Sequence, residues 1–271
     1  MSVQAILSIV TVVRNDRQGL ATTLASVASQ SARSAIQMIV IDGNSTDDTL
    51  AATKDFKLDV MISEPDTGLY DAMNKGLDHA TGKYVYFLNS GDSFDSTETV
   101  EKIISNFKDD NAVYYCSVEI QSSDVKWLSA PLQSKHFNYA EYLPHHQSIF
   151  YPAIFYKANR YNLAYKIQAD VDYTTRAVKL CHKIFIPLRI THSTLGGFGC
   201  QQYKSYKKSL SLAHEFHGIY KAHTLEKEYS IYHVFKIYSV CILRYVFVSI
   251  FGLAMLYRAM AFVAMRRNQR F

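Results

Sequence analysis

Two acidic stretches, a pair of neighbouring aspartates and a histidine doublet hold the side chains best suited to chemistry in this 271-residue chain. Asp92 closes Asn89-Ser90-Gly91-Asp92, directly after the apolar run Lys83-Tyr-Val-Tyr-Phe-Leu88. A carboxylate in a tight loop at the end of a buried strand suits a hard divalent cation that also touches a diphosphate. Mg2+ and Mn2+ favour one or two carboxylates plus phosphate oxygens over an all-protein cage. The plainer reading, a cap for a helix from Thr97 to Asn106, fits Ser96 better, with Asp95 a further cap or supporting group. Asp42 ends the run Ile36 to Ile41 and opens Asp42-Gly43-Asn44-Ser45-Thr46-Asp47-Asp48. There it can accept hydrogen bonds from a nucleobase or ribose, while Thr46 or Asp47 starts a following helix. Asp170 and Asp172, in Ala169-Asp170-Val171-Asp172-Tyr173, share a face on a strand but diverge by roughly 200° at a helix start. In Pro144-His145-His146-Gln147 the adjacent histidines of an extended chain point to opposite sides with no third ligand nearby, which argues against zinc. His192 reads as a satisfied surface histidine.

The elements that must position these groups follow from hydrophobic period. Ala5 to Val13 is β-branched, lacks a basic leader and stops at Arg14-Asn15-Asp16, the pattern of a buried strand rather than a signal peptide. Leu20, Leu24, Val27 and Ala28 recur at helical spacing. Strand, helix, strand, polar loop and a helix from about Asp48 read as βαβ, and the rhythm continues through Val60 to Ser63, the helix Leu69 to Ala80 and the strand ending at Leu88. Ligands of such parallel sheets bind beyond the carboxyl ends of the strands. Arg14 to Asp16, Asp42 to Asp48 and Asn89 to Asp92 all fall there. Beyond Thr97 the rhythm weakens, with antiparallel strands over Val113 to Val118 and Val125 to Leu128, a helix from about Asp170 to Leu180, a strand from Lys183 to Ile190 and a loop at Gly196-Gly197-Phe198-Gly199.

Composition excludes several classes. With 48% hydrophobic and 20% charged residues the chain is neither disordered nor collagen-like. The four cysteines, Cys116, Cys181, Cys200 and Cys241, are too far apart for a metal knuckle and read as packing thiols. Neither GxGxxG nor GxxxxGK[ST] follows a strand, against a Rossmann dehydrogenase and a P-loop NTPase. The net charge of +5 is uneven: from Gln201 onward 11 Lys and Arg face 3 Asp and Glu. That basic tail is apolar from Ile231 to Met265, and its longest uncharged stretch, Tyr245 to Tyr257, has 13 residues where a span needs about 20. Interleaved aromatic and basic residues suit a helix lying in a membrane interface. A self-packing or oligomer-forming helix is one competing expectation, and a true span, for which Arg244 or Arg258 would have to snorkel, is the other. Its Lys and Arg are not clustered as nucleic-acid binding requires.

Taken together, Ser8-Ile-Val-Thr-Val-Val-Arg-Asn15, Ser26-Val-Ala-Ser-Gln30, Val40-Ile-Asp-Gly-Asn-Ser-Thr-Asp-Asp-Thr49, Ser63 to Gly76, Ala80-Thr-Gly-Lys-Tyr84 and Phe87-Leu-Asn-Ser-Gly-Asp92 resemble family 2 glycosyltransferases, more narrowly the bacterial branch that builds O-antigen and exopolysaccharide. The resemblance covers about residues 5–200 and implies an α/β fold of the GT-A type: a Rossmann-like, mostly parallel sheet flanked by helices. The nucleotide-binding half would occupy about 1–97 and the acceptor half about 98–200, followed by a helical tail over 201–271. It implies an inverting transfer from a nucleotide-diphosphate sugar, a UDP-sugar before a GDP-sugar, to a hydroxyl of a lipid-linked saccharide, with Mn2+ or Mg2+ as cofactor, at the cytoplasmic face of the cell membrane. By position, Val12 and Arg14 would line the base pocket, Asp42 would contact base or ribose, Asp92 would hold the metal and Asp170 would be the base. His146 and Gln147 would line the donor-sugar or acceptor pocket. The chain departs from the family pattern in having one carboxylate in Asn89 to Asp92, Gly43 after Asp42, and Met73 where an arginine is common, so that Lys75 would supply the positive charge. The single carboxylate keeps a second expectation open: a nucleotide-sugar-binding scaffold without catalysis.

Overall fold

The computed structural model describes residues 5–121, 126–129, 145–194, 204–223 and 231–268. Cys200 and Gly196 to Gly199 lie outside them. Strand β1 (Leu7–Val13) leads into helix α1 (Arg17–Ala28), then β2 (Ile36–Asp42), β3 (Val60–Ser63), α2 (Leu69–His79), β4 (Tyr84–Phe87), the short β5 (Ser93–Phe94) and α3 (Thr99–Ile104). The second half contributes β6 (Ala112–Gln121), β7 (Lys126–Leu128), β8 (Ile149–Pro152), the helical turn α4 (Ala153–Tyr156), α5 (Ala169–Leu180) and β9 (His182–Thr194). Helices α6 (Tyr206–His223) and α7 (Ile231–Asn268) follow.

These strands form one sheet in the order β3-β2-β1-β4-β8-β6-β9-β5, with β7 on β6. The first half is parallel: β1 pairs with β2 and β4, and β2 with β3. Strand β8 then enters antiparallel between β4 and β6. The antiparallel expectation for β6 holds against β7 and β8, but β6 runs parallel to β9.

Alternation along β1 explains why five of its seven residues are apolar and fall on both faces. Leu7, Ile9 and Val13 join Leu20, Leu24 and Val27 of α1 in one core cluster. Val10 and Val12 face the other way, onto Tyr70, Met73 and Leu77 of α2. Both faces are covered, so no polar side is needed. Gly76 lets α2 approach this strand: a Cβ there would lie 2.3 Å from Val10 Cγ1.

Two expected helices differ from the structure. After β2 only a 3-10 turn forms (Thr49–Thr53), because Asp47 accepts hydrogen bonds from the Thr49 amide and hydroxyl and closes a local turn instead. Ser96 does not cap α3, which starts later; its amide donates to Thr99 Oγ1 at 2.9 Å. Asp95 is not a cap either, its carboxylate standing 2.7 Å from Arg189 Nη2 and 2.9 Å from His192 Nε2. Cys116, Cys181 and Cys241 are free thiols.

Helices α6 and α7 pack together through Leu212, Ala213, Tyr220, Ile237, Cys241 and Val248, with Ile167 from the sheet body in the same cluster. Helix α7 breaks at Gly252, whose φ of 78° a residue with a Cβ rarely adopts. Phe235, Leu243, Ile250, Phe251 and Phe262 stand exposed on it. The segment Phe235–Gly252 is long and apolar enough to cross a membrane by length and composition.

Candidate active site

The carboxyl ends of β1, β2 and β4 bring three polar loops to one edge of the sheet. The loop after β4 is built on α1. Thr23 Oγ1 lies 3.1 Å from the Asn89 carbonyl and 2.8 Å from that of Asp92, and accepts from the Gly91 amide at 3.1 Å. Gly91 has φ 92°, which requires glycine for the chain to turn back. Ser90 donates to Asp16 Oδ2 at 2.7 Å, and Asp16 Oδ1 caps α1 at the Gly19 amide. Further along α1, Ser26 accepts from the Phe94 amide, and just past the end of the helix Gln30 bonds the Ser96 carbonyl and the Val100 amide. Polar residues on α1 and at its two ends thus tie down Asn89 to Asp92, Phe94, Ser96 and Val100.

Asp92 is only 5% exposed, and the Gln147 side-chain amide donates to its carboxylate. Gln147 is held in turn: its side-chain oxygen accepts from Ser193 at 2.8 Å and its backbone carbonyl from Tyr86 at 2.7 Å. The Asn89 side-chain oxygen is buried with no hydrogen-bond partner among the described residues. One carboxylate and one uncommitted amide oxygen in the same loop are hard ligands of the kind a divalent cation shared with a diphosphate uses. No cluster of three His, Cys, Asp or Glu able to hold a metal occurs among the described residues.

Asp170 sits in the first turn of α5 with its side chain 22% exposed. Tyr70 of α2 places its hydroxyl 2.9 Å from Asp170 Oδ1 and 2.7 Å from the Ile167 carbonyl, one proton between two acceptors. His146 Nδ1 stands 3.5 Å from Asp170 Oδ2. Burial raises the Asp170 carboxyl above its ordinary value, and the Tyr70 hydrogen bond opposes this in part. Asp172 differs. Its oxygens are taken by His223 at 2.8 Å and Arg176 at 3.0 Å. Burial pushes that carboxyl up, but those partners outweigh it and hold it below the usual carboxylate range.

His146 and Gln147 are chain neighbours, and one meets Asp170 while the other meets Asp92. The two carboxylates therefore flank a single turn. His146–Ser148 is a 3-10 turn rather than extended chain, so the rings of His145 and His146 stack at 4.7 Å instead of pointing apart. Burial lowers both, to about 3 and about 4, so both are neutral at pH 7.

At the β1–β2 edge the expected contacts are only partly open. Arg14 is exposed. Val12 is 6% exposed and packs in the core beneath α2, because odd and even positions of β1 are both covered. Asp42 is fully buried; its carboxylate accepts from the Ser45 amide at 3.0 Å, the Ser45 hydroxyl and Ser63 at 2.6 Å. It shapes the loop and presents no surface to a ligand. Lys75 is engaged by Glu64 at 2.8 Å and the Pro65 carbonyl at 2.7 Å, fixing the turn before α2. Sequence reasoning did not single out Asn15 and Asn44, which hold φ of 52° and 57°. The Asn15 amide donates to Ser45 and its side-chain oxygen accepts from the Thr46 amide, both at 2.8 Å. Asparagine at two successive strand ends was the available signal. Tyr70 and Thr23 carried none beyond helical spacing.

Comparison with known proteins agrees with this architecture. The sequence profile "Glycosyl transferase family 2" matches residues 8–173, more than half of the chain. An uncharacterized glycosyltransferase of Mycobacterium tuberculosis is 32% identical over 187 residues, covering 66% of this chain and 71% of its own. The mannosyltransferase PcManGT from Pyrobaculum calidifontis, solved with GDP-Man and Mn2+, superposes with a TM-score of 0.62 at 13% identity, covering 97% of this chain and 81% of its own. S. aureus TarS in complex with UDP gives a TM-score of 0.58 at 18% identity, covering 90% and 72%. The fold is that of the GT-A glycosyltransferases, and the chain belongs to glycosyltransferase family 2.

Proposed function

We propose that this glycosyltransferase moves one sugar, with inversion, from a nucleotide-diphosphate donor to a hydroxyl of a lipid-linked saccharide. The observation that carries the reading is the His146-Gln147 turn, whose neighbouring residues contact Asp170 and Asp92 and so bring the two carboxylates to either side of it. Asp170 takes the proton of the acceptor hydroxyl as that oxygen bonds to the anomeric carbon, while the bond to the diphosphate breaks on the opposite face. Tyr70 holds Oδ1, so the proton goes to Oδ2 on the His146 side. A raised carboxyl is the stronger base for this task.

Asp92 and the Asn89 side-chain oxygen would hold Mn2+ or Mg2+, which neutralises charge on the leaving diphosphate when bound. UDP in one structural neighbour and GDP-Man in the other support a nucleotide donor, and we take a UDP-sugar as the first candidate. Arg14, exposed at the end of β1, is the group offered to the nucleotide there. A thermal-shift series of UDP- and GDP-sugars with and without Mn2+ tests the donor. One sugar nucleotide should raise the melting temperature, more so with Mn2+, because a ligand stabilises only a protein that binds it. No shift with any of them would remove the reading.

The acceptor reading rests on α7. Its exposed Phe235, Leu243, Ile250 and Phe251 alternate with Lys236, Arg244 and Arg258, the composition of a helix seated at a lipid surface. The full chain should sediment with anionic vesicles and be released by high pH or salt, as a peripheral protein at the cytoplasmic membrane face is. A chain ending before Ile231 should stay in the supernatant. Equal sedimentation of both, or a dimer that ignores vesicles, would contradict it.

A further inference from the structure

Three consecutive backbone amides converge on one carboxylate from the tail. Glu215, midway along α6, accepts hydrogen bonds from the amides of Lys166 at 3.0 Å, Ile167 at 2.8 Å and Gln168 at 2.9 Å. This segment leads directly into α5, whose N-cap residue Gln168 makes no side-chain capping bond of its own. An anion cradled by successive amides fixes the peptide planes that supply them. One of those residues, Ile167, turns its carbonyl to the Tyr70 hydroxyl, and the same hydroxyl meets Asp170. The Ile167 side chain is buried in the apolar cluster shared with α6 and α7. At the far end of α6, His223 holds Asp172, two residues after Asp170. The helix that follows the sheet body therefore grips the approach to α5 and its first turn at two points, and neither contact is to Asp170, Asp92, His146 or Gln147.

We propose that Glu215 is a positioning residue for transfer: from α6 it sets the approach to α5 so that Tyr70 and Asp170 meet and the second Asp170 oxygen faces the acceptor. This rests on Asp170 being the base. It gives the tail a part in the chemistry besides any part in location. Donor binding, organised on the Asp92 side through Gln147 and α1, does not run through Glu215.

The test uses the full chain with Glu215→Gln, which keeps shape and one acceptor oxygen, and Glu215→Ala, which keeps none. Amide exchange at Lys166 to Gln168 should speed up in both, more in Glu215→Ala. Transfer measured well below the melting temperature should show kcat reduced about 10-fold or more in Glu215→Ala and less in Glu215→Gln. The donor KM should stay within about twofold of wild type by the same separation of the two sides. Should Glu215→Ala fail to fold, Glu215→Gln alone decides the matter by the same split. Faster exchange with unchanged kcat would make Glu215 structural only and overturn the proposal, as would unchanged exchange. Full transfer by Asp170→Asn would instead overturn the reading of Asp170, a result distinguishable from these.

Discussion

Asp170→Asn is expected to lower kcat about 10²- to 10⁴-fold, the usual worth of a positioned base, while melting no lower than wild type. The second half of that expectation follows from the sign of the shift. Burial raises the carboxyl, so the folded protein binds this proton more tightly than the unfolded chain does. Asp170 then contributes stability below the unfolded value of about 3.8, and that contribution is lost as pH rises through the folded one. At neutral pH the ionised group is a cost that asparagine removes. Loss of activity with an undiminished melting temperature separates chemistry from unfolding. The same shift predicts the acid limb of kcat/KM in the wild type: it should fall away above the ordinary carboxylate range, since the base works only when deprotonated. Full transfer by Asp170→Asn would remove Asp170 from the role.

Asp92→Asn tests the other side of the cleft. Asparagine keeps a side-chain oxygen for the Gln147 amide, so the network through Ser193 and Tyr86 is retained. What it lacks is the negative charge. Mn2+-dependent donor binding, followed by calorimetry, should weaken about 100-fold or more, in line with several kcal/mol of charge stabilisation. Asp92→Ala should do the same and also destabilise the fold by about 1–3 kcal/mol, because it leaves a buried amide without an acceptor. Unchanged Mn2+-dependent binding in Asp92→Asn would contradict the assignment.

What could be read from the sequence divides along physical lines. The parallel half is legible because β1, β2 and β4 are buried on both faces and leave predominantly apolar runs, and α2 because Tyr70, Met73 and Leu77 recur on one side. The helix after β2 was misread: Asp47 competes for the Thr49 amide, an interaction that spacing does not reveal. Asp42 lies at the strand end the sequence indicates, but its carboxylate turns inward to Ser45 and Ser63, and Lys75, expected to offer a positive charge, is paired with Glu64; only tertiary structure decides either. The sequence offers the histidine doublet as extended chain, whereas a 3-10 turn stacks the rings and lets neighbouring residues reach the two carboxylates. Nothing near Glu215 in sequence marks it, since its partners lie 47 to 49 residues earlier. Long-range polar contacts of this kind leave no periodic trace.

Crystals soaked with UDP and Mn2+ test the central arrangement most directly. The account predicts an anomalous peak beside the Asp92 carboxylate, with the diphosphate lying between it and the Asp170 side of the His146-Gln147 turn. A peak elsewhere, or a diphosphate on a face that Asp170 does not reach, would contradict it.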